Sequence, residues 1–232
     1  MEKPAWTPGQ AALNGNQQLS RKVASYIREN VMVGRFEAGQ FLRTETIAEQ
    51  MGVSHTPVRE ALMLLQSEGI VRWEPRRGFR VAAVSDQDVH DLFQVQAYIA
   101  GELAARAAGI LDDTAVRGLR QLQEQLERAA ESGDAAAVDA YNHEIHRRIN
   151  KASGSNRLGI LLNQTVQYVP LRFFGLIEGW ADASAHDHSA VLDAIEAGDA
   201  EAARAAMTAH ISRIGVLLRA HLRAQRHAES LA

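Results

Sequence analysis

The chain has 232 residues, of which 46% are hydrophobic and 23% are charged, and its formal net charge at pH 7 is −3. This length and hydrophobic content suffice for one or two domains with buried cores, and no run of about 18 apolar residues could span a membrane. Cysteine is absent, which excludes disulfides and thiolate metal sites, and the first ten residues lack the apolar segment of a signal peptide, so we expect a soluble cytoplasmic protein.

Residues 1–17 contain two Pro, two Gly and several Asn and Gln, a composition that predicts a flexible tail. The sequence then predicts one domain over residues 18–84 and a second over residues 85–228. Residues 1–85 carry 11 basic and 8 acidic side chains, a net of +3, whereas residues 86–232 carry 14 and 20, a net of −6. The basic excess therefore lies in the first domain, as expected for a domain that contacts DNA.

Residues 41–68 have the pattern of two short helices joined by a tight turn at Gly52. The second helix is predicted to begin near Ser54, whose hydroxyl can accept a hydrogen bond from an unpaired amide, and Pro57 falls in its first turn. Its apolar residues recur at steps of three and four, which leaves a polar face on the other side. This is a helix-turn-helix, whose polar face reads the major groove of DNA.

The candidate DNA-contacting residues on that helix are Ser54, His55, Thr56 and Arg59. Arg59 is the leading candidate for a base contact, because a guanidinium group can bond O6 and N7 of guanine together.

Residues 69–81 contain two short β-rich runs around a Pro/Gly turn that carries Arg76 and Arg77. This pattern predicts a β-hairpin with a basic tip, the wing of a winged helix. Arginines at the tip suit contact with phosphates or with the minor groove, and Gly78 permits close approach of the backbone. The alternative is a basic turn that contacts only solvent.

Three runs in this region carry a family resemblance: SHTPVREAL at residues 54–62, LQSEGIV at residues 65–71 and RRGFRV at residues 76–81. They resemble the DNA-binding domain of the GntR family of bacterial transcription regulators, over about residues 18–84. The chain departs from that family at His55, where members often have Arg, and at Glu45, where some branches have Arg. For this reason we expect DNA binding, without transferring any known operator sequence.

The rest of the chain is rich in Ala, Leu, Glu, Arg and Gln and lacks a strand pattern, which predicts an all-α antiparallel bundle and a mainly α protein. Ser85 can cap the first of its helices, and Gly198 and Asp199 suit the break before the last. The predicted helices span residues 86–108, 113–131, 135–152, 156–177, 182–197 and 200–226.

Eight of the nine histidines lie in this second half. Asn142 and His146 are four residues apart and share one face of a helix, whereas His188 and His210 belong to later helices. The residues by themselves leave two interpretations open, because an inward histidine is often a hydrogen-bonded core residue and not a ligand.

Four segments of the second half are similar to the ligand-binding (FCD) domain of the FadR-like branch of the GntR family: NHEIH at 142–146, ASGSNRL at 152–158, DHSAVLDAIEAGD at 187–199 and MTAHI at 207–211. In many members an Asp or Asn and three His bind one divalent metal. Matching positions imply that the ligands here are Asn142, His146, His188 and His210. Three imidazoles and an amide oxygen suit Zn²⁺ or Ni²⁺, with at least one open position.

A neutral set of ligands leaves a metal with a charge near +2, so we expect the effector to be a small carboxylate. Gln96 and Ala100 stand where relatives often have Arg and Glu. The candidate effector contacts are Gln96 and Arg172. The expected function is that of a homodimeric repressor that binds a pseudo-palindromic operator in double-stranded DNA and responds to an organic acid.

Two other functions compete with this interpretation. A metal site with an open position can activate water, which would make the protein a hydrolase with Glu144 or Asp187 as the base. Glu144 lies two residues from both Asn142 and His146, however, and so points away from their face. The second rival is a metal-independent regulator in which the histidines form a polar core.

Overall fold

The computed structural model describes residues 8–32, 34–83, 85–166, 177 and 179–230. These residues form helices and one small antiparallel sheet, which confirms the prediction of a mainly α protein. They divide into two compact units, one before Ser85 (the first unit) and one from Ser85 onward (the second unit). Among the described helices, none has the length and apolar character needed to cross a membrane.

The first unit is a winged helix-turn-helix, as predicted. In chain order its elements are α1 (Pro8–Met32), β1 (Phe41–Leu42), α2 (Thr44–Met51), α3 (His55–Ser67), β2 (Val71–Glu74) and β3 (Gly78–Val81). Strand β3 lies between β1 and β2 and is antiparallel to both, with Phe79 opposite Leu42 on one side and Trp73 on the other. The sequence analysis did not predict β1, because two residues are too few to show the alternation of a strand.

Helix α1 begins at Pro8, so residues 8–17, which the sequence assigns to a flexible tail, are helical in the structure. Proline is well tolerated in the first turn of a helix, and the Gln, Ala and Leu residues that follow favour helix formation despite the interspersed Asn and Gly. Residues 1–7 of that tail lie outside the described residues.

Helix α3 is held in the first unit by its apolar face. The four residues of its predicted stripe, Val58, Ala61, Leu62 and Leu65, are fully buried. Two polar contacts with α1 add to this packing: Arg28 Nη2 lies 2.8 Å from Glu68 Oε2, and Ser20 Oγ donates to Glu60 Oε2 at 2.5 Å. One side of α3 is thereby fixed to the core, and the opposite side faces outward.

The second unit is all-α. Its described helices are α4 (Asp86–Ala108), α5 (Asp113–Glu131), α6 (Ala135–Ala152), α7 (Asn156–Val166), α8 (Trp180–Glu196) and α9 (Ala200–Ser230). The helix predicted over residues 156–177 is described only as far as Val166, and residues 167–176 lie outside the described part of the chain. Helix α8 begins two residues before its predicted start, and α9 ends four residues after its predicted end.

Capping residues at the helix ends explain why most of these boundaries lie where the sequence predicts them. Ser85 Oγ accepts from the Asp88 amide, and the Asp88 carboxylate accepts from the Ser85 amide, which makes a reciprocal capping box at the start of α4. Gly198, at φ 68°, ends the turn after α8, and Asp199 Oδ1 accepts from two amides at the start of α9.

Helices α4 and α9 pack antiparallel at close range, and two glycines permit it. A Cβ added to Gly101 would lie 2.4 Å from Thr208 Oγ1, and one added to Gly215 would lie 2.7 Å from the Phe93 side chain. This pair of helices forms one wall of the cavity described below.

Candidate functional site

The start of α3 exposes all four residues that the sequence assigned to DNA contact: Ser54, His55, Thr56 and Arg59. Ser54 occupies the N-cap position with extended backbone angles, φ −73° and ψ 166°, but its hydroxyl caps no amide. The prediction of a side-chain cap is wrong at this residue: Pro57, at the third helical position, has no N–H to donate, and the hydroxyl does not accept from the Thr56 amide either. The Ser54 hydroxyl therefore remains on the exposed face.

The wing is the hairpin formed by β2, β3 and the turn between them. Its Arg76 side chain is exposed and has no hydrogen bond or ion pair with any other described residue. Arg77 is more restrained, since its guanidinium lies 4.4 Å from the centre of the Phe41 ring and 3.5 Å from the Glu74 carboxylate. Gly78 follows at φ 97°, a conformation that favours glycine.

Three histidines from three helices of the second unit meet at one point, and we call them the histidine cluster: His146 of α6, His188 of α8 and His210 of α9. The Nε2 atom of His146 lies 3.3 Å from Nε2 of His188 and 3.2 Å from Nε2 of His210. Imidazole nitrogens about 2.0–2.1 Å from a tetrahedral Zn²⁺ are themselves about 3.3 Å apart. The spacing of these three atoms therefore fits one metal ion.

The protonation of His188 follows from its neighbour Gln123 of α5. The Gln123 amide NH₂ donates to the Ala185 carbonyl at 2.7 Å and to Glu127 at 2.8 Å, which leaves its Oε1 atom facing His188 Nδ1 at 3.0 Å. An amide oxygen accepts only, so Nδ1 carries the proton and Nε2 presents a lone pair to the cluster.

Asp187 has the corresponding position beside His210. Its Oδ2 atom lies 3.5 Å from His210 Nδ1, and its Oδ1 atom lies 3.2 Å from a guanidinium nitrogen of Arg213. The His210 ring, and then the charge of Arg213, hold the pKa of Asp187 below its usual range despite partial burial. A carboxylate on the far nitrogen of a histidine orients the ring and directs Nε2 towards a metal.

Burial disfavours the charged form of two members of the cluster. It lowers the pKa of His146 to about 3 and that of His188 well below its usual value, with the neighbouring histidines adding to the effect. If His146, like His188, carries its proton on Nδ1, the two Nε2 lone pairs face each other at 3.3 Å and repel. A cation at this point would relieve that repulsion, which is the electrostatic condition for a metal site.

Asn142 lies one turn before His146 on α6, and its Oδ1 atom is buried without a hydrogen-bond partner among the described residues. An unpaired buried amide oxygen is costly, and a metal ion would satisfy it. The predicted ligands His146, His188 and His210 are thus brought together, and Asn142 contributes an unpaired oxygen on the same side of α6.

A cavity of about 280 Å³ opens beside the histidine cluster. His146, His210 and Asn142 line it together with apolar side chains of α4, α7 and α9, and Gln96, a predicted effector contact, also faces it. Arg172, the other predicted contact, lies outside the described residues.

Three residues of this site were missed by the sequence analysis: Gln123, Asp139 and Asn150. Asp139 and Asn150 line the cavity from α6 and share the periodicity of Asn142 and His146, so extending that helical spacing in both directions would have found them. Gln123 gave no comparable signal, because its role depends on the packing of α5 against α8.

Glu144, a candidate base for hydrolysis, points away from the cluster. Its carboxylate bonds the guanidinium groups of Arg147 at 2.6 and 2.7 Å and of Arg148 at 2.7 Å. Asp187, the other candidate base, faces His210 Nδ1 and not the Nε2 atom that belongs to the histidine cluster.

Two family models match the chain. Residues 91–213 match the FCD domain, and residues 19–81 match the model described as bacterial regulatory proteins, gntR family. Together they span most of both units.

Individual relatives agree with these matches. The probable D-xylose utilization operon transcriptional repressor of Paenarthrobacter nicotinovorans is 29% identical over 213 residues, which cover 85% of this chain and 89% of the relative. The gluconate operon transcriptional repressor of Bacillus subtilis is 28% identical over 142 residues, 61% of this chain and 58% of the relative. The solved structure of E. coli McbR/YncC has the same fold, with a TM-score of 0.67 at 24% identity, covering 88% of this chain and 98% of that one.

Proposed function

Because the chain belongs to the gntR family of bacterial regulatory proteins and carries an FCD domain, we propose that it is a repressor whose operator affinity is controlled by a small carboxylate bound at a divalent metal. Membership of this family was expected from the sequence and is confirmed. The family and the relatives are transcription regulators and not enzymes, as the sequence also indicated. The metal, the effector and the dimer are the parts that we propose.

The observation that carries the metal proposal is the convergence of three histidine Nε2 atoms beside an unpaired amide oxygen. His146, His188, His210 and Asn142 would hold the ion, with Zn²⁺ or Ni²⁺ best suited to this set of ligands. A bound ion would supply a Lewis-acidic position, open to the cavity, for a carboxylate. A polar core without metal is the competing explanation, but it would leave the Asn142 oxygen unpaired.

For the DNA we propose a two-fold arrangement. A homodimer presents two copies of α3 and of the wing, and such a dimer recognises a pseudo-palindromic operator. Arg59 would contact bases, Ser54, His55 and Thr56 would contact bases or phosphates at the start of α3, and Arg76 and Arg77 would contact the backbone or the minor groove. Effector binding then needs to alter only the fit of the two α3 helices to the operator. A coupling free energy of about 1–3 kcal/mol between effector binding and DNA binding suffices for this.

Metal content per chain tests the proposal. The full chain is purified without chelator or affinity metal, reloaded with Zn²⁺ or Ni²⁺, desalted and measured by elemental analysis, for the wild type and for His188→Ala. We expect about one equivalent in the wild type and a large loss in the variant, because the variant removes one of the imidazole ligands.

The matched control is His186→Ala. His186 lies on the same helix, two residues before His188, but its side chain is exposed, so this variant should retain the metal. An absence of stoichiometric metal in the wild type would favour the polar core instead, as would equal metal content in His188→Ala.

A further inference from the structure

Trp73 of β2 is the largest apolar side chain that the described part of the first unit leaves open to solvent. Its ring packs edge-on against Phe79, with the two ring centres 4.9 Å apart, yet 51% of the residue is exposed. The indole N–H has no hydrogen-bond partner among the described residues. Contact with Phe79 therefore accounts for only part of this side chain, and the rest of the indole is available to a partner.

The exposed ring lies on the side of the wing that carries α3. Successive residues of a strand point to opposite faces, so Trp73 shares a face with Val71 and not with Arg72. Val71 and the Phe79 ring are buried in the same core cluster as the apolar stripe of α3. Helix α3 therefore lies over the start of this face, and Trp73 extends the face beyond the core, towards the tip of the wing.

A DNA strand would pass along this side of the wing. With Arg59 of α3 in the major groove and Arg76 at the phosphates or the minor groove beyond it, the backbone that separates the two grooves lies between α3 and the wing tip. Trp73 is three residues before Arg76, so their Cα atoms are within about 11 Å of each other. A side chain in this position, on the α3 side of the wing, faces that backbone.

The chemistry of indole suits a contact with the sugar–phosphate backbone. Its N–H only donates, and a phosphate oxygen is a charged acceptor, while the apolar ring can pack against deoxyribose. The exposed arginines at the tip, Arg76 and Arg77, attract the same phosphates. Such a contact does not depend on the bases, so it fixes the position of the protein on the duplex and does not select a sequence.

We infer that Trp73 contacts double-stranded DNA and donates its indole N–H to a backbone phosphate between α3 and the wing tip. The inference rests on the proposed contacts of α3 and the wing with DNA. It adds a neutral residue to a surface that otherwise binds phosphates through arginine.

The first test is Trp73→Phe in the full chain, by fluorescence anisotropy on the DNA upstream of the protein's own gene and on an unrelated duplex of equal length. Phe keeps a ring to pack against Phe79 but has no N–H, so affinity for both duplexes should fall about tenfold, as for a lost hydrogen bond to a charged acceptor. Because indole is neutral, the slope of log K against log salt should not change. Unchanged affinity would overturn the inference.

The matched control is Arg72→Gln. Arg72 is the preceding residue on the same strand, is exposed, and points to the opposite face of the wing. Its loss should change affinity less than about twofold at physiological salt, because a charge on the far face is largely screened from the DNA. A loss as large as that caused by Trp73→Phe would place DNA on the other face and contradict the inference.

Acrylamide quenching tests the contact with Trp73 itself in place. The chain has three tryptophans, and Trp180 is buried, so the quenchable emission of a Trp6→Phe variant comes from Trp73. Saturating DNA should lower the quenching constant, because a backbone strand against the ring excludes the quencher. Quenching that DNA does not alter would overturn the inference. This result decides the question if Trp73→Phe also proves less stable than the wild type.

Two arginine variants separate this inference from the proposal on which it rests. If Arg59→Ala and Arg76→Gly weaken DNA binding and Trp73→Phe does not, only the contact of Trp73 fails. If none of the three variants weakens DNA binding, the proposed DNA-contacting surface fails with it.

Discussion

Asp139 shows how a residue that lines the cavity can lower the stability of the fold. Its carboxyl group is half-buried beside the cavity, and burial raises its pKa to about 6 from an ordinary value near 4. The folded chain therefore holds this proton more tightly than the unfolded chain does. At neutral pH the charged, partly desolvated carboxylate is destabilising, and this cost disappears as the pH falls from about 6 towards 4.

We predict that Asp139→Asn raises the melting temperature of the metal-free protein at pH 7.5. The advantage of the variant should shrink below pH 6, where the wild-type carboxyl group takes up its proton and becomes neutral as well. Melting curves followed by circular dichroism between pH 4.5 and 8 measure this, with the exposed Glu131→Gln as the control. A variant less stable than the wild type at pH 7.5 would contradict the assignment.

Gln123 shows how a neutral side chain can control the chemistry of a neighbour. It is buried and does not line the cavity described above, yet its hydrogen bonds determine which nitrogen of His188 carries the proton. The chemistry of His188 is therefore decided by a residue 65 positions away in the chain.

At the scale of single elements, the wing combines strain and exposure at one residue. Arg76 has φ 65°, and it is the one non-glycine residue with positive φ in the described part of the chain. This conformation costs an L-residue about 1 kcal/mol or more, which glycine avoids. A strained and exposed arginine at the tip of a hairpin is consistent with a role in DNA contact.

We predict that Arg76→Gly leaves the first unit as stable as the wild type or more stable, and weakens DNA binding. If Arg76 contacts one phosphate, affinity should fall by a similar factor for operator and unrelated DNA, and the slope of log K against log salt should decrease by about 1. Fluorescence anisotropy at several salt concentrations tests this, with Arg35→Ala as the charge-matched control at another exposed position. Unaltered affinity and slope would place the wing away from DNA.

The two faces of helix α3 have different roles, one in packing and one in the predicted contact with DNA. Four fully buried apolar residues attach it to the core of the first unit, and its first turn exposes the polar residues predicted to read DNA. Pro57, in the first turn of the helix, is buried with the apolar face and has no N–H for the Ser54 hydroxyl to accept from.

At the scale of the whole molecule, we propose that DNA binding and effector sensing belong to different units, and variants in each should separate the two functions. We predict that Arg59→Ala lowers affinity for the DNA upstream of the protein's own gene by about 1–3 kcal/mol and relaxes base specificity, but keeps the metal. His188→Ala should keep operator affinity and lose the response to a carboxylate effector. Anisotropy titrations with and without a series of small carboxylates, beside metal analysis, measure both effects.

Two results would count against this division. Unchanged DNA binding by Arg59→Ala would remove α3 as the recognition helix. A response to a carboxylate effector that persists in His188→Ala would separate effector sensing from the histidine cluster, because the variant removes a metal ligand that the proposed site requires.

The helix-turn-helix, the hairpin and most helix boundaries of the second unit could be predicted from the sequence alone. These features depend on signals between near neighbours: the apolar spacing in α3, the capping box at Ser85, and Gly198 with Asp199 before α9. Such signals involve residues only a few positions apart, so they can be recognised in the sequence without knowledge of the fold. The exceptions were the two-residue strand β1 and the start of α1.

Only the tertiary structure decided the candidate site. The sequence by itself showed that Asn142 and His146 share a helix face, but His188 and His210 reach them through the packing of α8 and α9 against α6. The same packing places Gln123 on His188. Contacts between residues more than 40 positions apart depend on how whole helices pack against one another, and this packing cannot be predicted from local periodicity.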